Sequence, residues 1–158
     1  MATHPDPERD DISIRQATRA DLLAVSRLEK QVFDDPWSYS AFEGFLGEPA
    51  FLIAEREATL AGYVVADWTT THGREFGHIK DLAVASDCRR NGLGRRLLRR
   101  AVSQLLIEGV RTVKLEVREH NTAARQLYTA EGFELFRRIP GYYNDGEAAL
   151  VLVYSPTA

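Results

Sequence analysis

The stretch that decides the reading of this chain is Val84-Ala-Ser-Asp-Cys-Arg-Arg-Asn-Gly-Leu-Gly-Arg95. A strand-like run over 79–84 enters a turn with two glycines. An amphipathic helical pattern leaves it, with apolar residues at Leu93, Leu97, Leu98, Ala101, Val102 and Leu105. Gly92 and Gly94 let backbone N–H groups approach a ligand with no Cβ in the way, and a helix start adds the positive end of its dipole. The ligand such a turn suits is an anion, above all a phosphate. No Gly-Lys-Ser/Thr follows, so this is not a Walker loop, and the spacing is not the GxGxxG of dinucleotide folds. A tight strand-to-helix turn that simply requires glycine is the other use of the same residues.

Beyond that helix, Gly109 is a stop, 113–117 alternates as a strand, and Asn121 or Thr122 caps a helix through Tyr128 that Gly132 ends. Two further strands, 133–139 and 148–154, flank the loop Pro140-Gly-Tyr-Tyr-Asn-Asp-Gly146. On the N-terminal side, residues 1–11 read as a polar tail and 12–15 as a short strand. Thr18-Arg-Ala-Asp21 is a capping box for a helix with the stripe Leu22, Val25, Leu28 and Val32. Pro36 ends that pattern, and Ser38 or Ser40 caps a shorter helix carrying Phe42, Phe45 and Leu46. Strands over 51–55, 60–68 and 75–84 follow as a meander. The order β-α-α-β-β-β-α-β-α-β-β predicts one α/β domain over 12–158, a mixed and mostly antiparallel sheet flanked by helices.

Composition narrows the function classes. The 158 residues carry 20 Lys+Arg and 23 Asp+Glu, a net charge of −3, with 44% hydrophobic and 27% charged residues. Those are globular averages, which argue against a disordered or fibrous chain. No apolar run reaches the ~18 residues of a membrane span, and the first residues lack the pattern of a signal peptide. The single Cys88 cannot pair internally and fits a reducing, cytoplasmic setting. The four histidines show no metal-binding spacing, so no metal is expected. Arg89, Arg90, Arg95, Arg96, Arg99 and Arg100 suggest a nucleic-acid module, but the net charge and the lack of any recognition motif speak against it.

The segments Ile79-Lys-Asp-Leu-Ala-Val84, Arg89-Arg-Asn-Gly-Leu-Gly94, Leu115-Glu-Val-Arg118, Asn121, Ala123-Ala-Arg-Gln-Leu-Tyr128 and Gly132-Phe133 together resemble the GNAT family of acetyl-CoA-dependent N-acetyltransferases. The resemblance covers essentially all of 12–154. Asp35-Pro-Trp-Ser38, Leu115-Glu-Val-Arg118, the run ending at Tyr128, and Gly141-Tyr-Tyr143 are similar to the RimI/Ard1-type branch, which acetylates protein N-termini. It implies acetyl-CoA as cosubstrate and a protein or peptide N-terminus, including that of a ribosomal protein, as acceptor. It implies that Leu82, Ala83 and Val84 hold the pantetheine arm through main-chain groups. Arg89, Arg90, Asn91, Gly92, Leu93, Gly94 and Arg95 would cradle the pyrophosphate, with Asn121 near the reactive end. Glu116 would be the general base and Tyr128 the general acid toward the departing thiolate. Phe33, Trp37, Tyr142 and Tyr143 would line the acceptor groove. Gly-Glu-Ala-Ala at 146–149 departs from the branch's more usual Gly-Glu-Asp-Ala.

The residues alone support part of this. In 113–117 the apolar side chains share one strand face, so Lys114 and Glu116 point the other way. An α-amine of pKa about 7.7 to 8.0 needs only mild base assistance, for which a carboxylate of raised pKa suffices. A surface ion pair is the other use for Glu116, a packed ring with a satisfied hydroxyl the other use for Tyr128, and loop-anchoring packing the other use for the four groove aromatics. A small-amine acetyltransferase and a non-catalytic CoA sensor are the rivals on the same fold.

Overall fold

The computed structural model describes residues 11–156, so the tail expected over 1–11 lies, but for Asp11, outside the described residues. The elements are β1 (Ile12–Gln16), α1 (Leu22–Val32), α2 (Tyr39–Glu43), β2 (Phe51–Arg56), β3 (Thr59–Thr71), β4 (Arg74–Val84), α3 (Leu93–Ile107), β5 (Thr112–Arg118), α4 (Thr122–Ala130), β6 (Glu134–Ile139) and β7 (Ala149–Tyr154). Seven strands form one sheet in the order β1-β2-β3-β4-β5-β7-β6. Every neighbouring pair is antiparallel except β4 with β5.

Each helix is where its apolar spacing puts it. Asp21 accepts the Thr18 N–H at 2.8 Å and two Arg15 N–H groups at 2.8 Å, and so closes the entry to α1. α1 then buries Leu22, Val25 and Leu28. α3 buries Leu93, Leu97, Leu98, Ala101, Val102 and Leu105, the stripe expected from its periodicity. The two helices cover opposite faces of the sheet and build two cores, α3 over Ala54, Val64 and Leu115, and α1 with α2 over Ile53, Tyr63 and Val65. α2 is shorter than its apolar pattern suggests. Gly44 ends it, and Phe45 and Leu46 lie in the turn beyond.

One irregularity matters for function. β4 and β5 pair only at Phe76↔Thr112, Gly77↔Val113 and His78↔Lys114, after which they diverge. Just beyond, Val65 pairs with Asp81 and Ala66 with Ile79, so Lys80 is an extra residue on β4. Such a bulge bends its strand and changes which side chains share a face. β4 therefore turns away from β5 while staying on β3. At Gly62 a Cβ would stand 2.7 Å from the Ala83 carbonyl oxygen, so glycine permits this close approach.

Candidate active site

The divergence opens a cleft with an unpaired strand edge along it. Leu82, Ala83 and Val84 pair with Val64, Tyr63 and Gly62 on one side and, among the described residues, face no strand on the other. A free strand edge offers alternating N–H and C=O groups to any extended amide-bearing ligand. Arg89 already takes one of the acceptors, its Nε donating to the Val84 carbonyl at 3.2 Å.

The edge leads through a 3-10 turn, Ser86–Cys88, to the start of α3. Gly92 has φ +75°, a left-handed conformation that favours glycine, and a Cβ there would meet nothing within 4 Å. The Arg96 N–H is bonded to the Gly92 carbonyl at 3.1 Å, and the N–H groups of Leu93, Gly94 and Arg95 precede that first turn. They lie at the positive end of a 15-residue helix, a fit for a phosphate-bearing cosubstrate. Arg89, Arg90 and Asn91 are exposed beside them, whereas Leu93 is buried and offers only its backbone. Arg95 differs from expectation in its side chain, which pairs with Glu131 at 2.8 Å.

Glu116 emerges on the cleft side of β5, opposite the buried Val113, Leu115 and Val117. Its Oε2 lies 2.6 Å from His78 Nε2, and Lys114 Nζ is 3.7 Å from Oε1. Burial pushes the Glu116 carboxyl upward, but the His78 hydrogen bond and the charges of His78 and Lys114 outweigh it and hold it below the usual carboxylate range. This corrects the raised pKa expected from sequence. Tyr128, partly buried on α4 against Phe133, is pushed up to about 12 by burial and by the charges of Asp81 and Tyr143, so it keeps its proton. Asn121 caps α4, its Oδ1 accepting the Ala124 N–H at 3.2 Å.

The four aromatics expected to line an acceptor groove divide into two pairs. Trp37 stacks on Phe45 at 5.5 Å and touches Phe42, while Phe33 is 36% exposed. Tyr142 is 49% exposed and meets Tyr143 edge-on at 5.0 Å. Arg118 lies over the Tyr143 ring at 4.0 Å and bonds Asp145 and Glu147 at 2.9 Å, which fixes the loop to β5. Asn144 Nδ2 donates to Asp35 Oδ2 at 2.9 Å, joining the loop after α1 to the loop before β7. Sequence reading missed His78, Arg118 and Asn144, since each acquires its meaning from a partner distant in the chain. Alternation from Ile79 could have placed His78 opposite the core face of β4. Cys88 is buried, and burial, with Asp87 beside it, raises its thiol pKa, which suits packing and not nucleophilic attack. Among the described residues no group of His, Cys, Asp and Glu is arranged to hold a metal ion, and no helix is long and apolar enough to cross a membrane.

Comparison with known proteins agrees with this geometry. An uncharacterised N-acetyltransferase of Methanocaldococcus jannaschii is 33% identical over 145 residues, covering 89% of each chain. The [ribosomal protein bS18]-alanine N-acetyltransferase of Salmonella typhimurium is 33% identical over 148 residues, covering 93% of this chain and 88% of the relative. The crystal structure of the ribosomal-protein-S18-alanine N-acetyltransferase from Escherichia coli superposes with a TM-score of 0.80 at 28% identity, over 93% of this chain and 95% of that one. Ard1 from Thermoplasma volcanium shares the fold, with a TM-score of 0.85 at 23% identity over 94% of this chain and 99% of that one. Residues 17–133 match the acetyltransferase (GNAT) family, and the chain belongs to it.

Proposed function

We propose that the protein transfers the acetyl group of acetyl-CoA to the α-amino group of a protein N-terminus, by direct attack in a ternary complex. The observation that carries this reading is the divergence of β4 from β5 immediately after His78. It puts one unpaired strand edge between the anion-binding start of α3 and the carboxylate of Glu116. The resemblance to acetyltransferases of ribosomal-protein N-termini favours such an N-terminus as acceptor and the cytosol as the place of action.

The cosubstrate supplies an activated acyl group, and the chain's residues do the rest. The N–H groups of Leu93, Gly94 and Arg95, with Arg89, Arg90 and Asn91, hold its pyrophosphate, and residues 82–84 align its amide-bearing arm. A main-chain N–H on that edge polarises the thioester carbonyl in a water-poor cleft. Asn121 stands by the reactive end. Glu116, ionised and paired with His78, accepts the proton of an amine that is already partly free near neutral pH. Tyr128, protonated across the working range, hydrogen-bonds the departing thiolate and returns a proton to it. Phe33, Trp37, Tyr142 and Tyr143 confine an extended chain end between the loops that Asp35 and Asn144 join.

The test is to incubate the enzyme and acetyl-CoA with a library of peptides bearing free N-termini and with a panel of small amines. Thiol release is followed and products are identified by mass. Acetylation at peptide α-amines is the expected result, and turnover of small amines alone would overturn the acceptor assignment.

A further inference from the structure

The mechanism leaves unused a buried acidic cluster beneath the acceptor groove. Glu29 of α1 is 2% exposed, and its Oε1 accepts the Trp37 N–H at 3.2 Å while its Oε2 accepts the Tyr63 hydroxyl. The carboxyl of Asp81, brought to this face by the bulge at Lys80, lies beside that of Glu29, and burial together with Glu29 raises its pKa. The Oδ2 of Asp81 is buried and has no hydrogen-bond partner among the described residues. Two carboxyl groups in contact inside a protein cannot both be charged, because neither desolvation nor their repulsion would be offset. Glu29 has two N–H or O–H donors already and is the one suited to carry the charge. Asp81 has a buried oxygen without a donor and is suited to carry the proton.

We propose that Asp81 is a positioning residue of the acceptor groove: held neutral, it donates its carboxyl proton to Glu29, and Glu29 in turn fixes the loop after α1 through the Trp37 N–H. The proposal rests on the groove reading given above. Its chemistry is a shared proton with no bond made or broken elsewhere. Burial, and then the neighbouring Glu29 carboxyl, raise the Asp81 pKa to about 9, so the pair holds its proton at neutral pH and releases it in mild alkali. Other groups face the pair from the packed elements: Tyr63 of β3, whose pKa is raised by burial and by the acids beside it, and Tyr128 of α4, raised to about 12. Neither titrates where Asp81 does. Lys80, the neighbour on β4, is directed to Asp67 at 3.5 Å and over the Phe45 ring.

Ionised Asp81 would repel Glu29 and loosen the hold on Trp37, so acceptor binding should weaken in alkali without loss of the cosubstrate site. D81N keeps the shape and a donor toward Glu29 but cannot ionise. We expect D81N to match the wild type in acceptor-peptide KM near pH 7, and the wild-type KM to rise about fivefold relative to D81N by about pH 10, with acetyl-CoA KM equal in both. The acceptor's own ionisation enters both enzymes alike. Parallel KM profiles in the two enzymes, or a tenfold or greater rise in the D81N KM near pH 7, about the cost of losing a buried polar partner, would overturn the proposal. A second measurement needs no catalysis. With Trp68→Phe leaving Trp37 as the sole tryptophan, the emission maximum should shift to the red as pH passes about 9. A maximum that stays constant from about pH 7 to 10 overturns the proposal even if D81N does not fold. If the red shift is present but no peptide is acetylated, the acceptor reading fails and the proton-sharing pair stands.

Discussion

His78 Nε2 stands 2.6 Å from Glu116 Oε2, although the two residues are 38 apart in the chain. The last parallel rung, His78↔Lys114, brings them together, because Glu116 lies two residues further along β5 on the same face as Lys114. The contact lowers the Glu116 pKa against the upward push of burial. Removing the imidazole in His78→Ala leaves burial with less opposition, so the Glu116 pKa must rise. A base must be ionised to act, so the acid limb of kcat/KM should move to higher pH in His78→Ala, and Glu116→Gln should lower kcat by about 10². An unchanged acid limb in His78→Ala would show that the pair does not control the reaction.

Tyr128 keeps its proton because burial and the nearby Asp81 and Tyr143 raise it to about 12. Its hydroxyl therefore stays protonated, and so able to donate, across the neutral range. Tyr128→Phe should reduce kcat by about 10² while acetyl-CoA KM stays within about twofold, the pattern of an interaction made late in the reaction. A loss confined to KM would make the ring a packing element against Phe133.

The legible parts of the sequence were those with local periodicity. The α3 stripe reads directly because six apolar residues recur at helical spacing, and all six are buried. Glu116 stands out because it interrupts an alternating strand on its polar side. His78 was not legible, because its role depends on a parallel register of three rungs between distant strands. Glu29 has no mark in the sequence beyond its place next to Leu28 of the α1 stripe, yet it is buried, because Tyr63 and the Trp37 backbone supply its hydrogen bonds. The bulge at Lys80 leaves no signature in composition, and without it Asp81 would face the other side of the sheet.

Gly92 and Gly62 should respond differently to alanine. At Gly92 a Cβ meets nothing, so the cost is the left-handed backbone alone, about 1 kcal/mol, and the readout should be a higher acetyl-CoA KM. At Gly62 a Cβ would stand 2.7 Å from the Ala83 carbonyl oxygen and 3.1 Å from Leu97, within the sheet that aligns residues 82–84. Gly62→Ala should lose about 1 to 3 kcal/mol in denaturant unfolding, in addition to weakening acetyl-CoA binding. Equal stability losses in the two variants would contradict this assignment.

The Asn144–Asp35 hydrogen bond at 2.9 Å links the loop after α1 to the loop before β7 but involves neither Glu116 nor the start of α3. Asn144→Ala and Asp35→Ala should each raise acceptor-peptide KM by about threefold, as expected for one exposed hydrogen bond, with kcat and acetyl-CoA KM preserved. The double substitution should cost no more than either single one, since both remove the same bond. Additive losses would mean the two residues act separately.

Asp81 also has a signature in folding stability. In the unfolded chain an aspartic acid releases its proton near pH 3.9, whereas the folded protein retains it to about 9. Between those values the native state binds the extra proton, so stability attributable to this group falls as pH rises across the window and levels off above it. Asp21 works in the opposite sense. Arg15 lowers its pKa, so its contribution is present above the ordinary carboxylate range and is lost in acid. Unfolding free energy measured against pH should therefore decline from about pH 4 to about pH 9 in the wild type and level off above that. In Asp81→Asn the decline should be shallower, because the asparagine amide donates to Glu29 without titrating. An identical slope in the two proteins across that window would mean that Asp81 is already ionised in the native state.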